Sequence, residues 1–144
     1  MDRIPLGRLV AVMRHEDKIF GHIPNDKEDS SAPWDDLYKE DFHVAVYKDK
    51  YPVSLGHLLF VPKYNSIGIL TQAFEDAVRT GIGMVKSGKI DGFNIGLNYG
   101  KTAGQTVDWP HVHLIPRFEG DVKDPIGGVR GVIPGKANYR KTEK

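Results

Sequence analysis

Between Phe42 and Tyr47 (FHVAVY) apolar and polar positions alternate among β-branched and aromatic residues, which predicts a strand. Gly56 to Val61 (GHLLFV), ended by Pro62, predicts a second strand. Across the polar turn Lys48-Asp49-Lys50 the two can pair as a hairpin with a longer connection. From Thr71 to Lys86 the apolar residues Phe74, Ala77, Val78, Ile82 and Val85 recur at helical spacing with charges between them, with Thr71 as N-cap and Gly88 as the stop. Gly81 and Gly83 weaken that helix by about 1 kcal/mol each relative to Ala. Phe93 to Leu97 and His111 to Ile115 predict a third and a fourth strand, joined through a loop at Gly100–Gly104. Residues 24–36 (PNDKEDSSAPWDD) predict a surface loop, residues 4–14 (IPLGRLVAVMR) fit a short helix or strand, and the Gly- and Pro-rich tail from Phe118 predicts loop or extended arm. No internal repeat is present. Strands of this kind with one long helix predict an α+β fold with an antiparallel sheet.

The 144 residues suit one domain with a sizeable core. A formal net charge of +1, with 27% charged residues, does not recommend a surface for nucleic-acid polymers or membranes. The absence of cysteine excludes disulfides and thiolate metal sites. No apolar stretch approaches the roughly 20 residues of a membrane span. The short run Leu9–Met13 lacks a cleavage site, so a cytoplasmic protein is expected.

The chemistry concentrates in Gly104-Gln105-Thr106-Val107-Asp108-Trp109-Pro110-His111-Val112-His113-Leu114-Ile115-Pro116-Arg117. Strand residues i and i+2 share a face, so His111 and His113 project together and Val112 and Leu114 project oppositely. Two imidazoles beside Gln105 and Thr106 can receive an anionic group, and neutral imidazole can attack phosphorus. The pair could instead be structural, or share a metal ion with His57 as third ligand, although the carboxylate clusters typical of such sites are missing. His57 either bonds a nearby carbonyl at a strand start or supports the reactive imidazole by fixing which of its nitrogens is free. Asn98-Tyr99-Gly100-Lys101-Thr102 ends like a P-loop, but the required earlier glycine would fall at Ile95 and no helix follows.

These residues resemble the histidine triad (HIT) superfamily of nucleotide hydrolases and transferases, whose motif is His-φ-His-φ-His-φ-φ with φ apolar. Ala103-Gly104-Gln105-Thr106-Val107 and Pro116-Arg117 match its flanks. Further similar stretches occur in order: Ile19-Phe20-Gly21-His22-Ile23, with Gly21 where many members carry Cys; Tyr38-Lys39-Glu40-Asp41; Asp49, Pro52, Gly56-His57 and Pro62-Lys63; and Gly92 to Asn98. Gly120-Asp121 and Gly127-Gly128-Val129-Arg130 resemble the tail of members related to diadenosine polyphosphate hydrolases. The resemblance covers residues 18–135, leaving 1–17 as an extension and 136–144 as a basic, flexible tail. In this register His113 stands third, His111 second and Trp109 first, where the family has a histidine.

The resemblance implies an antiparallel sheet of about five strands with one long and one shorter helix. It implies a homodimer formed by the helix and a sheet edge. His111 would be the nucleophile at the α-phosphorus of a dinucleoside polyphosphate or nucleoside phosphoramidate, with His113 on the phosphate oxygens and His57 in support. Asp49 would bind ribose, Asn98 would orient phosphate or ribose, and Gly104, Gln105, Thr106, Val107 and Trp109 would complete the nucleotide site. No resident cofactor is implied; Mg would arrive with a polyphosphate substrate. Water as acceptor gives a hydrolase and a second phosphate gives a transferase. Trp109 in the first position leaves open a nucleotide-binding protein without turnover.

Overall fold

The computed structural model describes residues 32–140. The extension 1–17, the segment 4–14, the stretch Ile19–Ile23, the loop through residue 31 and the last four residues of the tail lie outside the described residues. Five strands, β1 (Trp34–Glu40), β2 (Val44–Asp49), β3 (Leu58–Pro62), β4 (Gly92–Leu97) and β5 (Val112–Arg117), form one sheet in the order β1-β2-β3-β5-β4. Every neighbouring pair is antiparallel. One α-helix, α1 (Ile67–Lys86), stands among the described residues, with short 3-10 turns at Lys101–Ala103 and Gly128–Val132. The fold is α+β, and the hairpin expected from residues 42–61 is β2–β3.

The four expected strands shift by one or two residues at their ends, and two boundaries differ more. Residues 34–36, read as the end of a loop, open β1. Its register shifts twice, between Trp34 and Asp36 and between Leu37 and Lys39, so no clean alternation reaches the sequence. The helix begins at Ile67, with Ser66 as the cap whose side chain accepts from the Ile69 N–H at 3.2 Å. Thr71 lies inside the first turns and its hydroxyl donates back to the Ile67 carbonyl. The stop is where expected: Gly88 adopts φ +78° and its N–H returns to the Val85 carbonyl.

The sheet is covered on both faces. Under α1, Val44, Val46, Leu58, Phe60, Val112 and Leu114 pack against Ala73 and Ala77. On the other face, Ala32, Trp34, Leu59, Val61, Val107 and Trp109 form a second cluster with Tyr47 beside it. β3 therefore reads as an unbroken apolar run, each large side chain contributing about 1.5–3 kcal/mol on burial. The helix meets the sheet through small residues, Ala73, Ala77 and Gly81. A Cβ on Gly81 would lie 2.8 Å from the Phe93 ring, so its lack of side chain sets the distance of closest approach. Of the apolar residues at helical spacing, Ala77 is buried whereas Phe74, Ile82 and Val85 are exposed.

Candidate active site

β5 carries the site because of its strict alternation. Val112, Leu114 and Pro116 are buried, whereas His113, Ile115 and Arg117 lie between them, half-buried. His111, immediately before the strand, shares the face of His113, with ring centroids 5.1 Å apart. His113 lies opposite Leu59 of β3 and Gly96 of β4. Gly96 has open space where a side chain would stand, which leaves room beside His113.

The β2–β3 hairpin delivers the other two polar groups. The Asp49 N–H donates to the His57 carbonyl at 3.0 Å, tying the end of β2 to the start of β3. One Asp49 carboxylate oxygen accepts from the Tyr51 N–H at 2.8 Å. The other lies 3.3 Å from His57 Nε2 and 3.9 Å from His113 Nδ1. His57 Nε2 and His113 Nδ1 are 2.9 Å apart.

Main-chain groups decide where the imidazole protons sit. His57 Nδ1 accepts the Val53 N–H at 3.2 Å, so neutral His57 carries its hydrogen on Nε2. That hydrogen points at His113 Nδ1, with Asp49 as a second acceptor. His113 Nδ1 is thereby an acceptor, and the hydrogen of neutral His113 is on Nε2. At His111 the order reverses. Nδ1 lies 3.0 Å from the Trp109 carbonyl, which can only accept, so Nδ1 holds the hydrogen and Nε2 keeps its lone pair.

Burial keeps the three rings neutral. It pushes His113 down to about 4 from the ordinary 6.5, with the neighbouring His111 and His57 adding to the effect and Asp49 opposing it. Burial also lowers His57, against the pull of Asp49, and lowers His111, against its bond to the Trp109 carbonyl.

One tryptophan meets the His111 ring and a second supplies the main chain that bonds it. Trp34 is 3% exposed and meets the His111 ring edge-on with centroids 5.0 Å apart. Trp109 is fully buried, and its indole N–H donates to the Pro62 carbonyl at 2.8 Å. Trp34 and the Val53 N–H were missed by sequence reasoning. Trp34 lies in an irregular strand, and a main-chain donor leaves no signature in residue type.

The loop before β5 is tied down by Gln105. Its carbonyl oxygen accepts the Gly100 N–H at 2.8 Å, and its NH2 group donates to the Val107 and Asp108 carbonyls at 3.0 and 3.2 Å. Gly104 takes φ +94°, Thr106 is exposed and Val107 is buried beside Trp109. Leu97 pairs with Val112, so Asn98, exposed just past β4, sits at the end of the sheet that carries His111. A cleft of about 500 Å³ opens beside Asp49 and His57, with Lys48, Lys50 and Tyr38 in its lining.

Asp49, His57 and His113 are close enough for their ligand atoms to reach one metal ion. His57 would have to ligate through Nε2, the atom that the Val53 N–H forces to carry the hydrogen. The cluster fits a hydrogen-bonded relay better than an ion.

The HIT domain model matches residues 32–120, the sheet, the helix and both His111 and His113. The chain belongs to the HIT domain family. Among HIT relatives, the adenosine 5′-monophosphoramidase of Saccharomyces cerevisiae is 36% identical over 50% of this chain and 48% of its own length. The AP-4-A phosphorylase of Mycobacterium tuberculosis is 37% identical over 63% of this chain and 51% of its own. The chain thus spans about half the length of these two curated relatives. A solved structure of a hypothetical histidine triad nucleotide-binding protein from Sulfolobus tokodaii superposes with a TM-score of 0.51 at 36% identity, covering 61% of this chain and 64% of that one. Membership supports nucleotide binding or hydrolysis at the level of the family. Among the described residues no helix is long and apolar enough to cross a membrane.

Proposed function

We propose that this HIT protein is a nucleotide hydrolase that cleaves at the α-phosphate through a nucleotidyl-His111 intermediate. The observation that carries the reading is the 3.0 Å bond between His111 Nδ1 and the Trp109 carbonyl, which leaves Nε2 as the one basic nitrogen of a neutral, framed imidazole. His113 Nε2–H is then a donor to an α-phosphate oxygen or the bridging atom, held by His57. In this reading Trp109 occupies the first position of the histidine triad. Its main chain still fixes the nucleophile, so a side chain other than histidine is compatible with turnover. Asn98, Gly104 and Thr106 line the approach to phosphate, and Val107, buried beside Trp109, supports them from below. A ribose role for Asp49 and a phosphate role for Gln105 each require surrendering contacts that these side chains make in the free protein.

The exposed helix residues Phe74, Ile82 and Val85, on the element that packs against edge strand β4, support a homodimer. One observation favours a second reading, a nucleotide-binding protein without turnover: the Trp109 indole N–H is committed to Pro62 and gives no ring nitrogen to the site. A transferase with an unidentified acceptor would share the first half-reaction.

The test is nucleoside monophosphate release from diadenosine polyphosphates by native protein and His111→Ala side by side. Release by the native protein alone is expected. Tight nucleotide binding by both proteins with no release by either would move the assignment to the binding protein.

A further inference from the structure

Resting on the reading of His111 as nucleophile, we propose that this site selects substrates by the acidity of the leaving group. It would accept nucleotides activated by phosphate or sulfate and discriminate against nucleoside phosphoramidates.

The reason is a proton relay with a closed end. The Val53 N–H faces His57 Nδ1, so His57 has one hydrogen, directed at His113. His113 has one hydrogen, directed outward. If His113 gave that hydrogen away, His57 would have to replace it, and among the described residues the far nitrogen of His57 meets only the Val53 N–H, which does not transfer. One Asp49 oxygen faces the same His57 hydrogen as a second acceptor. His113 can therefore hydrogen-bond a departing atom but cannot protonate it. Burial disfavours the doubly protonated form of His113 that would escape this limit.

The other place from which a histidine could supply an acid is closed as well. Trp109 is fully buried with its indole N–H on the Pro62 carbonyl, so its ring brings no imidazole acid to the site, and its carbonyl accepts from His111. Tyr47 is packed against Trp34 on the same face, and burial raises its phenol above the usual 10, so it is a poor proton donor at neutral pH.

The consequences follow atom by atom. The His111 Nε2 lone pair forms the N–P bond, and the bond from the α-phosphorus to the bridging oxygen breaks. The electron pair leaves on a phosphate or sulfate oxygen, which is stable as an anion and needs only the His113 hydrogen bond. His111 is now an imidazolium whose Nδ1–H remains on the Trp109 carbonyl. Water then attacks phosphorus, the P–N electron pair returns to His111, and the water proton passes to solvent. An amine leaving group cannot depart this way, because the nitrogen must gain a proton as the P–N bond breaks.

The experiment compares kcat/KM of the native full chain for adenosine 5′-phosphosulfate, diadenosine tetraphosphate and adenosine 5′-phosphoramidate, together with a series of substituted phenyl esters of AMP. Loss of general-acid assistance predicts that the anhydrides exceed the phosphoramidate by about 100-fold or more, and that ester rates climb steeply with phenol acidity. The ester series needs native protein only, so it does not depend on the folding of any variant. Anhydride and phosphoramidate cleaved at comparable rates, with a nucleotidyl adduct on His111, would overturn the selectivity and leave the nucleophile intact. No cleavage of any substrate and no adduct would remove the nucleophile assignment, and the selectivity with it.

Discussion

A histidine nucleophile needs one nitrogen engaged so that the other is defined, and at His111 the engaging group is main chain. Side-chain substitutions at position 109 should therefore separate stability from orientation. Trp109→Phe removes the indole donor and leaves the buried Pro62 carbonyl without it, so the protein should lose about 1–3 kcal/mol by denaturant unfolding. Any activity that remains should still run through His111. The lowered histidines set the pH behaviour. The nucleophile must be neutral, so kcat/KM should be level above the ordinary histidine value of 6.5 and fall on an acid limb whose midpoint lies below it. Stability moves in the same direction. The unfolded chain binds protons near 6.5, whereas folded His113 refuses one until about 4. Unfolding free energy should thus decline as pH drops through that window and flatten beneath it. An acid limb centred above 6.5 would contradict the buried, neutral imidazoles.

At the scale of the elements, α1 and β1 show what residue pattern can and cannot convey. The two faces of β5 were legible because period-two alternation places Val112 and Leu114 in the core and His113 away from it. The helix was legible as a helix, but of its buried face only Ala77 was. Large apolar residues at helical spacing pointed to Phe74, Ile82 and Val85, whereas the sheet accepts the small side of the helix at Ala73, Ala77 and Gly81. Hydrophobicity reads size as burial, and close packing inverts that. β1 was missed because its two register shifts erase alternation. The relay of Val53, His57 and His113 was half legible: His57 could be named as support, but its main-chain partner could not. The two helix glycines provide a direct check. Gly81→Ala must displace the Phe93 ring and should cost about 1–3 kcal/mol, while Gly83→Ala, with nothing within 4 Å, should gain roughly 0.5–1 kcal/mol. Paired thermal melts decide it; equal effects at both positions would remove the packing role given to Gly81.

For the whole molecule, the sheet places the site on one face and the helix on the other, so assembly through the helix and catalysis need not compete. The exposed stripe at Phe74, Ile82 and Val85 predicts that Ile82→Asp shifts the sedimentation coefficient from dimer to monomer while the His111 environment persists. A native protein that sediments as a monomer would contradict the dimer. Beyond β5, Arg117 donates to Asp121 through Nε and one terminal nitrogen, and to Asn94 through the other. Arg130 then donates to the Ala137 and Lys136 carbonyls and lies over the Tyr139 ring. Gly127, at φ +94°, has the Ala137 carbonyl 1.8 Å from where a Cβ would stand, so this return of the chain depends on glycine there. Lys136, Ala137 and Tyr139 of the basic tail are thus tied to the arm before them.

The central claim is a covalent nucleotide on His111. The most direct measurement is intact-protein and peptide mass spectrometry after brief mixing of the native chain with diadenosine tetraphosphate and a quench at alkaline pH, where an N–P bond to imidazole survives. One added nucleoside monophosphoryl group on the peptide bearing His111, lost in His111→Ala, is the predicted result. Product release from native protein with that peptide unmodified throughout the time course, or with the same rate in His111→Ala, would contradict it.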